Sequence, residues 1–297
     1  MLVSLREIVA DAYQNGYAVG AFNCLSLENV EGAIMAAEEL NSPIILQLAE
    51  VQFPCAPLEK MIPMFVDAAR SSFVPVAVHL DHGLSFNTCA QAIRLGVTSV
   101  MIDGSTLPLE ENIRVTREVV QMAKAFGVAV ESELGKVGDT DTVEWDNNVN
   151  TFTDVDESIR FVQETGIDAL AISIGNLHGK YTATPNLNIQ RLKEIKDRNP
   201  IPLVLHGGSG TSEADFKDCV HNGISKVNVA TAIQLRIMDE LRECMKNETD
   251  LGYIGLKEKI KCASKNAVAD HIKLFESNNK VKQRGRGLLQ LGHGWPI

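Results

Sequence analysis

Short apolar runs recur along the chain, each ending in a polar or Gly-containing turn and followed by a stretch of helical periodicity. That alternation predicts parallel βα units. Eight such runs stand out: Ala18–Asn23, Pro43–Leu48, Pro75–Leu80, Thr98–Ile102, Val128–Glu133, Ala169–Ile174, Pro202–His206 and Lys226–Val229. Each is apolar almost throughout, as a strand covered on both faces must be. Between them, Glu28–Leu40 places Val30, Ile34 and Ala37 on one helical face, and Leu107–Phe126 does the same with Ile113, Val120 and Ala123. The acidic run from Asp154 to Glu157 predicts a helix start, because carboxylates are favoured at the positive end of a helix dipole.

Eight strands alternating with helices in 297 residues fit an α/β fold of the (β/α)8 TIM-barrel type better than an open doubly wound sheet. The barrel is expected to occupy residues 1–280 as a single domain, with 281–297 a basic, Gly-rich and loosely ordered C-terminal extension. After the fifth strand, Gly135 to Thr153 is long, acidic and Asn-rich where barrel loops are short. It reads as a mobile lid or a disordered excursion.

Composition narrows the function classes. A hydrophobic fraction of 45% supplies a large core. A formal net charge of −10 argues against a nucleic-acid partner, since neutralising a phosphate backbone needs clustered Lys and Arg. The six cysteines form no Cys-x-x-Cys pair, so neither a disulfide framework nor a thiolate zinc site is expected, and a cytoplasmic location is. Arg6, Glu7 and Asp11 make the first segment an amphipathic helix start and not a signal peptide. No apolar run approaches the roughly 20 residues that span a bilayer, so no membrane partner is expected.

The chemistry collects at the carboxyl ends of the strands, which form the functional face of such a barrel. His82 follows the third run, His178 the sixth, and His206 ends the seventh, so three of the seven histidines converge there. Three imidazoles with an open fourth position make a catalytic zinc or similar divalent site. A lone strand-end histidine is more often a structural hydrogen-bonder, but three reaching one rim by independent strands favour a metal. In the segment PVAVHLDHG, a turn at Gly83 lets both Asp81 and His82 reach the rim, while His79 is either a barrel-interior residue or one that supports the metal ligands. Asp81 is poorly placed to share an ion with its neighbour and better placed for acid–base work, or for orienting the histidine.

Glu131 and Glu133 lie at the end of the fifth strand, where a carboxylate is costly unless partnered. One is therefore expected near a cation and the other beside a lysine. Asp103 has either the same role or that of capping the next helix. The segments HGGSGT, from His206, and NVAT, from Asn228, close the last two strands with small residues and hydroxyls, which suits an anion.

The segments YAVGAFN, VPVAVHLDHG, VESELGKVG, LAISIGNLHGKY, LVLHGGSG and KVNVAT occur in the order of a known family. From about Leu5 to Lys280 the chain resembles the class II, metal-dependent ketose-bisphosphate aldolases, the fructose- and tagatose-bisphosphate type. The resemblance implies one Zn2+ held by His82, His178 and His206, with Asp103 and Glu131 as candidates for a second cation site or for supporting the ligands. It implies Asp81 as the proton-transfer group. Asn23, Gly179, Gly207, Gly208, Ser209, Asn228, Val229, Ala230 and Thr231 correspond to the dihydroxyacetone-phosphate site, with Na+ or K+ as an accompanying ion. The partner is then a phosphorylated sugar, and the assembly a homodimer or homotetramer.

The chain departs from the family in three places. Gly138-Asp139-Thr140-Asp141 replaces the usual continuation of the catalytic loop, leaving Asp141 and Glu144 as candidates for its proton-exchanging acid. Ala49 stands where a substrate-contacting serine is frequent, and Ala232 where an acid is common, which implies a different aldehyde half. Arg284 or Arg286 of the extension would be the group to reach a distal phosphate. Three rival readings remain: a covalent-lysine aldolase using Lys180, a metal-dependent barrel hydrolase, and a non-catalytic aldolase subunit.

Overall fold

The computed structural model describes residues 1–139, 152–178, 186–207, 211–247 and 251–281, without the side chains of Asp139 and His178. Its strands in chain order are β1 (Val19–Asn23), β2 (Ile44–Ala49), β3 (Val76–Gly83), β4 (Ser99–Ile102), β5 (Ala129–Leu134), β6 (Gly138–Asp139), β7 (Ala169–Ile172), β8 (Leu177–His178), β9 (Leu203–Leu205) and β10 (Ile224–Val229). Eight of them close a parallel barrel in the order β1-β10-β9-β7-β5-β4-β3-β2, with helices interleaved. All eight predicted runs become these barrel strands. The short β6 and β8 pair with each other beyond the carboxyl ends of β5 and β7, and the apolar pattern did not announce them.

Alternation along each strand sorts side chains to two environments. Phe22, Leu46, Val78, Val100, Val130 and Leu170 point outward and join the helices in the main apolar cluster. At the amino end of the barrel, Val19, Ala21, Ile45, Ala77 and Ala129 face inward and form a second cluster with Leu5, Ile8, Val9 and Ala12 of α1 (Leu5–Asn15). That helix starts where Ser4 accepts a hydrogen bond from the Arg6 amide, and it plugs the barrel from below with the apolar stripe the sequence predicted.

Higher in the barrel the interior turns polar. Gln47, His79, Ser99, Glu131 and Lys226 are each fully buried, and His79 lies in register with Gln47 on one side and Ser99 on the other. His79 is thus an interior residue, one of the two roles the sequence left open for it.

The helix α2 (Leu27–Glu39) is capped by Ser26, and α3 (Leu58–Ser71), α4 (Phe86–Leu95) and α5 (Leu109–Ala125) follow β2, β3 and β4 in turn. The predicted start at Asp154 is the N-cap of α6 (Val155–Thr165), its carboxylate accepting from the Asp156 and Glu157 amides. Helices α7 (Ile189–Arg198) and α8 (Glu213–His221) flank β9 in sequence, and the C-terminal pair α9 (Thr231–Asn247) and α10 (Tyr253–Leu274) brings the chain back across α2. Gly32 permits that crossing: a Cβ there would lie 2.6 Å from the Lys261 carbonyl oxygen. No helix among the described residues is long and apolar enough to cross a membrane.

Candidate active site

The exit of β3 decides the geometry. Its register against β4 slips between Leu80 and Gly83, and His82 adopts a left-handed backbone with φ of 42°. A bulge of this kind re-aims side chains that strict alternation would send to opposite faces. Holding histidine in that region costs of order 1 kcal/mol, and such outliers persist where the surrounding structure enforces them. Gly83 is part of that enforcement, because a Cβ there would sit 2.6 Å from the Met101 carbonyl oxygen. Asp81 and His82 consequently come together, their Oδ1 and Nε2 atoms 3.8 Å apart.

Two imidazoles from different strands meet there. His82 Nδ1 lies 2.7 Å from Asp103 Oδ2, and His206 Nε2 lies 2.9 Å from Glu131 Oε1. An ionised carboxylate only accepts, so the outer nitrogen of each ring carries the hydrogen. The inner nitrogens, His82 Nε2 and His206 Nδ1, then direct bare lone pairs at each other across 2.9 Å. That contact is repulsive unless a cation lies between them.

In the ion-free protein a proton fills the role. Burial pulls His82 down, but the carboxylates of Asp81, Asp103 and Glu133 outweigh it and push the ring up to about 10. Asp103 is correspondingly held well below the usual carboxylate range by His82, against the opposing effect of burial. A divalent ion fits the same donors: imidazole nitrogens whose outer N–H groups are anchored by carboxylates are the usual ligands of such ions.

Glu133 strengthens this reading. Burial, reinforced by Asp103, pushes its carboxyl up to about 8. Its Oε2 is buried without a hydrogen-bond partner, 3.6 Å from His206 Nδ1. Among the described residues, Asp81, His82 and His206 form one group able to hold an ion, and His82, Asp103 and Glu133 form another, each set of ligand atoms lying within 4.8 Å.

Asp81 sits in a cage of amides. Asn23 Nδ2 donates to its Oδ2 at 3.0 Å, Gln47 Nε2 approaches the same oxygen at 3.4 Å, and Asn228 Nδ2 donates to Oδ1 at 2.9 Å. Gln47 also donates to Asn23 Oδ1 at 2.8 Å, which turns the Asn23 amide toward Asp81. Burial would raise this carboxyl, but His82, His206, Lys226 and the Asn23 amide hold it below its ordinary value. A buried, ionised acceptor beside the imidazole pair is suited to receiving a proton from a substrate hydroxyl.

Of the two glutamates on β5, Glu131 is the lysine partner, with Lys226 Nζ 2.8 Å from its Oε2, and Glu133 faces the imidazoles. Asp103 does not cap α5, which begins behind Pro108; its Oδ1 instead accepts from the Ser105 amide. Val229 ends β10 and Thr231 opens α9, so the NVAT segment is a strand end leading into a helix N-terminus. Gly207 has φ of 69°, just past His206. Ala49 is buried in register with Asp81.

The backbone of His178 lies in β8 beside Asp139 of β6, and its side chain is not among the described atoms. Gly179, Lys180, Gly208, Ser209, Asp141, Glu144, Arg284 and Arg286 lie outside the described residues.

Sequence reasoning missed several polar groups that shape the cavity. Gln47 and Lys226 interrupt apolar strands, and that interruption was the available signal. Asn176 gave none: it donates to the His206 carbonyl at 3.0 Å and accepts from the Ile174 amide, fixing the backbone that carries His206.

The family model described as fructose-bisphosphate aldolase class-II matches residues 3–280. The chain belongs to that family. The class II aldolases are lyases and are generally metal-dependent, in keeping with the ion-binding groups at the barrel mouth. Among its relatives, a probable fructose-bisphosphate aldolase of Bacillus subtilis is 40% identical over 287 residues, covering 94% of this chain and 99% of the relative. The protein YdjI of Escherichia coli K12 is 37% identical over 282 residues, covering 95% of this class II aldolase and all of the relative. The crystal structure of the YdjI aldolase superposes with a TM-score of 0.86 at 36% identity, covering 95% of this chain and 100% of that one. That of a putative fructose-1,6-bisphosphate aldolase from Coccidioides immitis gives 0.83 at 31% identity, with coverages of 93% and 97%.

Proposed function

We propose that this class II aldolase reversibly cleaves a phosphorylated ketose, a ketose 1,6-bisphosphate or a related sugar, between C3 and C4. The products are dihydroxyacetone phosphate and an aldehyde. The reading rests above all on the two inner imidazole nitrogens of His82 and His206, facing at 2.9 Å beside the caged carboxylate of Asp81.

His82, His206 and His178 would hold one Zn2+, which when bound supplies a Lewis acid for negative charge developing on the substrate oxygen. Asp103 and Glu131 orient two of those imidazoles by accepting their outer N–H groups. Asp81, kept ionised, takes the proton of the C4 hydroxyl as the C3–C4 bond breaks and the electron pair stays on C3. In condensation it returns that proton. Asp141 and Glu144 are the candidates for protonating C3.

The dihydroxyacetone-phosphate half would be held by Asn23, Gly179, Gly207 to Ser209 and Asn228 to Thr231, where backbone N–H groups and the α9 N-terminus favour an anion, with Na+ or K+ alongside. Ala49, buried beside Asp81, removes a hydroxyl that related enzymes present. This favours an aldehyde half other than glyceraldehyde 3-phosphate, including one without a phosphate. The working unit would be a cytoplasmic homodimer or homotetramer.

The deciding experiment is condensation of dihydroxyacetone phosphate with a panel of phosphorylated and unphosphorylated aldehydes. Turnover that a chelator abolishes and zinc restores, with no borohydride trapping, supports the reading. A borohydride-trapped lysine would replace it with covalent chemistry. Metal binding without turnover on any aldehyde would leave a non-catalytic subunit.

A further inference from the structure

Lys226 is the one lysine or arginine that the described residues bury, and its exposure is 0%. An ion pair in such a place is a poor device for stability, since apolar residues of equal volume commonly do as well or better. What the ammonium touches indicates another purpose. Its Nζ lies 2.8 Å from Glu131 Oε2, 3.1 Å from Glu131 Oε1 and 2.8 Å from Asn228 Oδ1.

A protonated lysine only donates and a carboxylate only accepts, so these contacts impose directions on everything beyond them. Asn228 must turn its oxygen to Lys226, which leaves its NH2 for Asp81 Oδ1 at 2.9 Å. Glu131, anchored by the ammonium, accepts the Nε2–H of His206 at 2.9 Å, and this keeps Nδ1 bare on the side of His82. In that tautomer the 3.3 Å approach of Asn228 Nδ2 to His206 Nε2 sets two donors side by side, so the amide serves Asp81 alone. His79 closes the other side of Glu131, its Nε2 3.8 Å from Oε2. Burial, with Lys226 acting in the same direction, drives this ring well below its ordinary value, so it is neutral and does not replace the lysine as the cation.

We infer that Lys226 is a positioning residue that sets two parts of the site at once. Through Glu131 it selects the His206 tautomer able to ligate an ion, and through Asn228 it selects the amide orientation that supports ionised Asp81. The inference deepens the metal-aldolase reading and rests on it. A lysine buried only to fill the barrel would impose neither direction.

The test uses the full chain, in wild-type form and as K226M and the double variant E131Q/K226M. The double variant leaves no lone buried charge and so separates positioning from folding. Zinc affinity is read by competition with a chromophoric chelator, and kcat and KM by condensation. The tautomer of His206 is read from the nitrogen-15 spectrum of histidine-labelled, zinc-loaded wild-type protein.

The expected result is a folded double variant whose zinc affinity falls 10- to 100-fold, in the range typical of lost ligand support. Its kcat should fall at saturating zinc while KM moves less than threefold, and wild-type His206 should carry its hydrogen on Nε2. A double variant within threefold of wild type in zinc affinity and kcat overturns the inference, as does His206 with hydrogen on Nδ1. If neither variant folds, the wild-type spectrum decides alone. Wild-type protein that binds no zinc removes the proposed function and this inference together; normal wild-type binding with an indifferent double variant removes only the inference.

Discussion

The two ends of the barrel interior are built from the same eight strands and do opposite work. At the amino end, Val19, Ala21, Ile45, Ala77 and Ala129 meet the apolar stripe of α1, and stability comes from area removed from water. At the carboxyl end, the same inward positions a few residues further along carry Asn23, Gln47, Asp81, Glu131 and Asn228, all buried and joined by hydrogen bonds of fixed direction. A buried carboxylate or imidazole is expensive in free energy unless each partner is in place. One end tolerates changes that preserve volume. The other depends on which atom donates and which accepts.

The largest expected break in this comparison is D81N. The amide keeps the shape of the side chain but cannot take a proton, so kcat should fall by about 1,000-fold. Zinc content by metal analysis should be retained, the melting temperature should fall because the new NH2 meets a caging amide donor head-on, and unchanged turnover would refute the acid–base role. The opposite result is expected of L5A at the amino end. Truncating that fully buried side chain should cost about 3 kcal/mol of stability by denaturant titration, with kcat and KM unchanged for the folded fraction.

A subtler probe is D103N. It keeps an oxygen able to accept from His82 Nδ1 but removes its charge, so zinc affinity should fall by about tenfold while the fold persists.

A different kind of probe is the pH dependence of the ion-free protein. His82 is pushed from 6.5 up to about 10 in the fold, so its stabilising contribution is complete below 6.5 and is lost as the pH rises through 10. Glu133 is pushed from 4.5 up to about 8, and a raised carboxyl also costs stability as the pH rises, across the interval from 4.5 to 8. Both act in one direction. The melting temperature of ion-free protein should therefore fall between pH 7 and 9.5, over a range set by these two groups. Zinc should release about one to two protons at neutral pH, and its stabilising increment should grow with pH. A melting temperature that rises with pH would contradict the carboxylate–imidazole arrangement.

The barrel strands were legible because a strand covered on both faces leaves a run of apolar residues that turns and helices then punctuate. Lys226 and Gln47 were not singled out because one polar residue within an apolar run marks a buried polar group without naming its partners, which only the opposing strands supply. The two-residue strands β6 and β8 were illegible for a related reason: their pairing depends on the separation of β5 and β7, which no local pattern encodes. At the site, His82 and His206 were nominated as strand-end imidazoles, and the turn at Gly83 predicted that Asp81 and His82 share a rim. The left-handed backbone at His82 that brings this about emerged only in three dimensions.

By itself, the sequence determined the periodicity of eight buried strands, the amphipathic character of the first helix, and the identity of groups able to hold an ion or move a proton. Those properties are local, set by side-chain chemistry and the repeat of one backbone. Tertiary structure alone decided that His82 Nε2 and His206 Nδ1 face each other, that Asp103 and Glu131 take their outer hydrogens, and that Lys226 connects Glu131 to Asn228. Hydrogen-bond direction depends on distances of about 3 Å between residues more than a hundred positions apart in places, and barrel closure sets those distances.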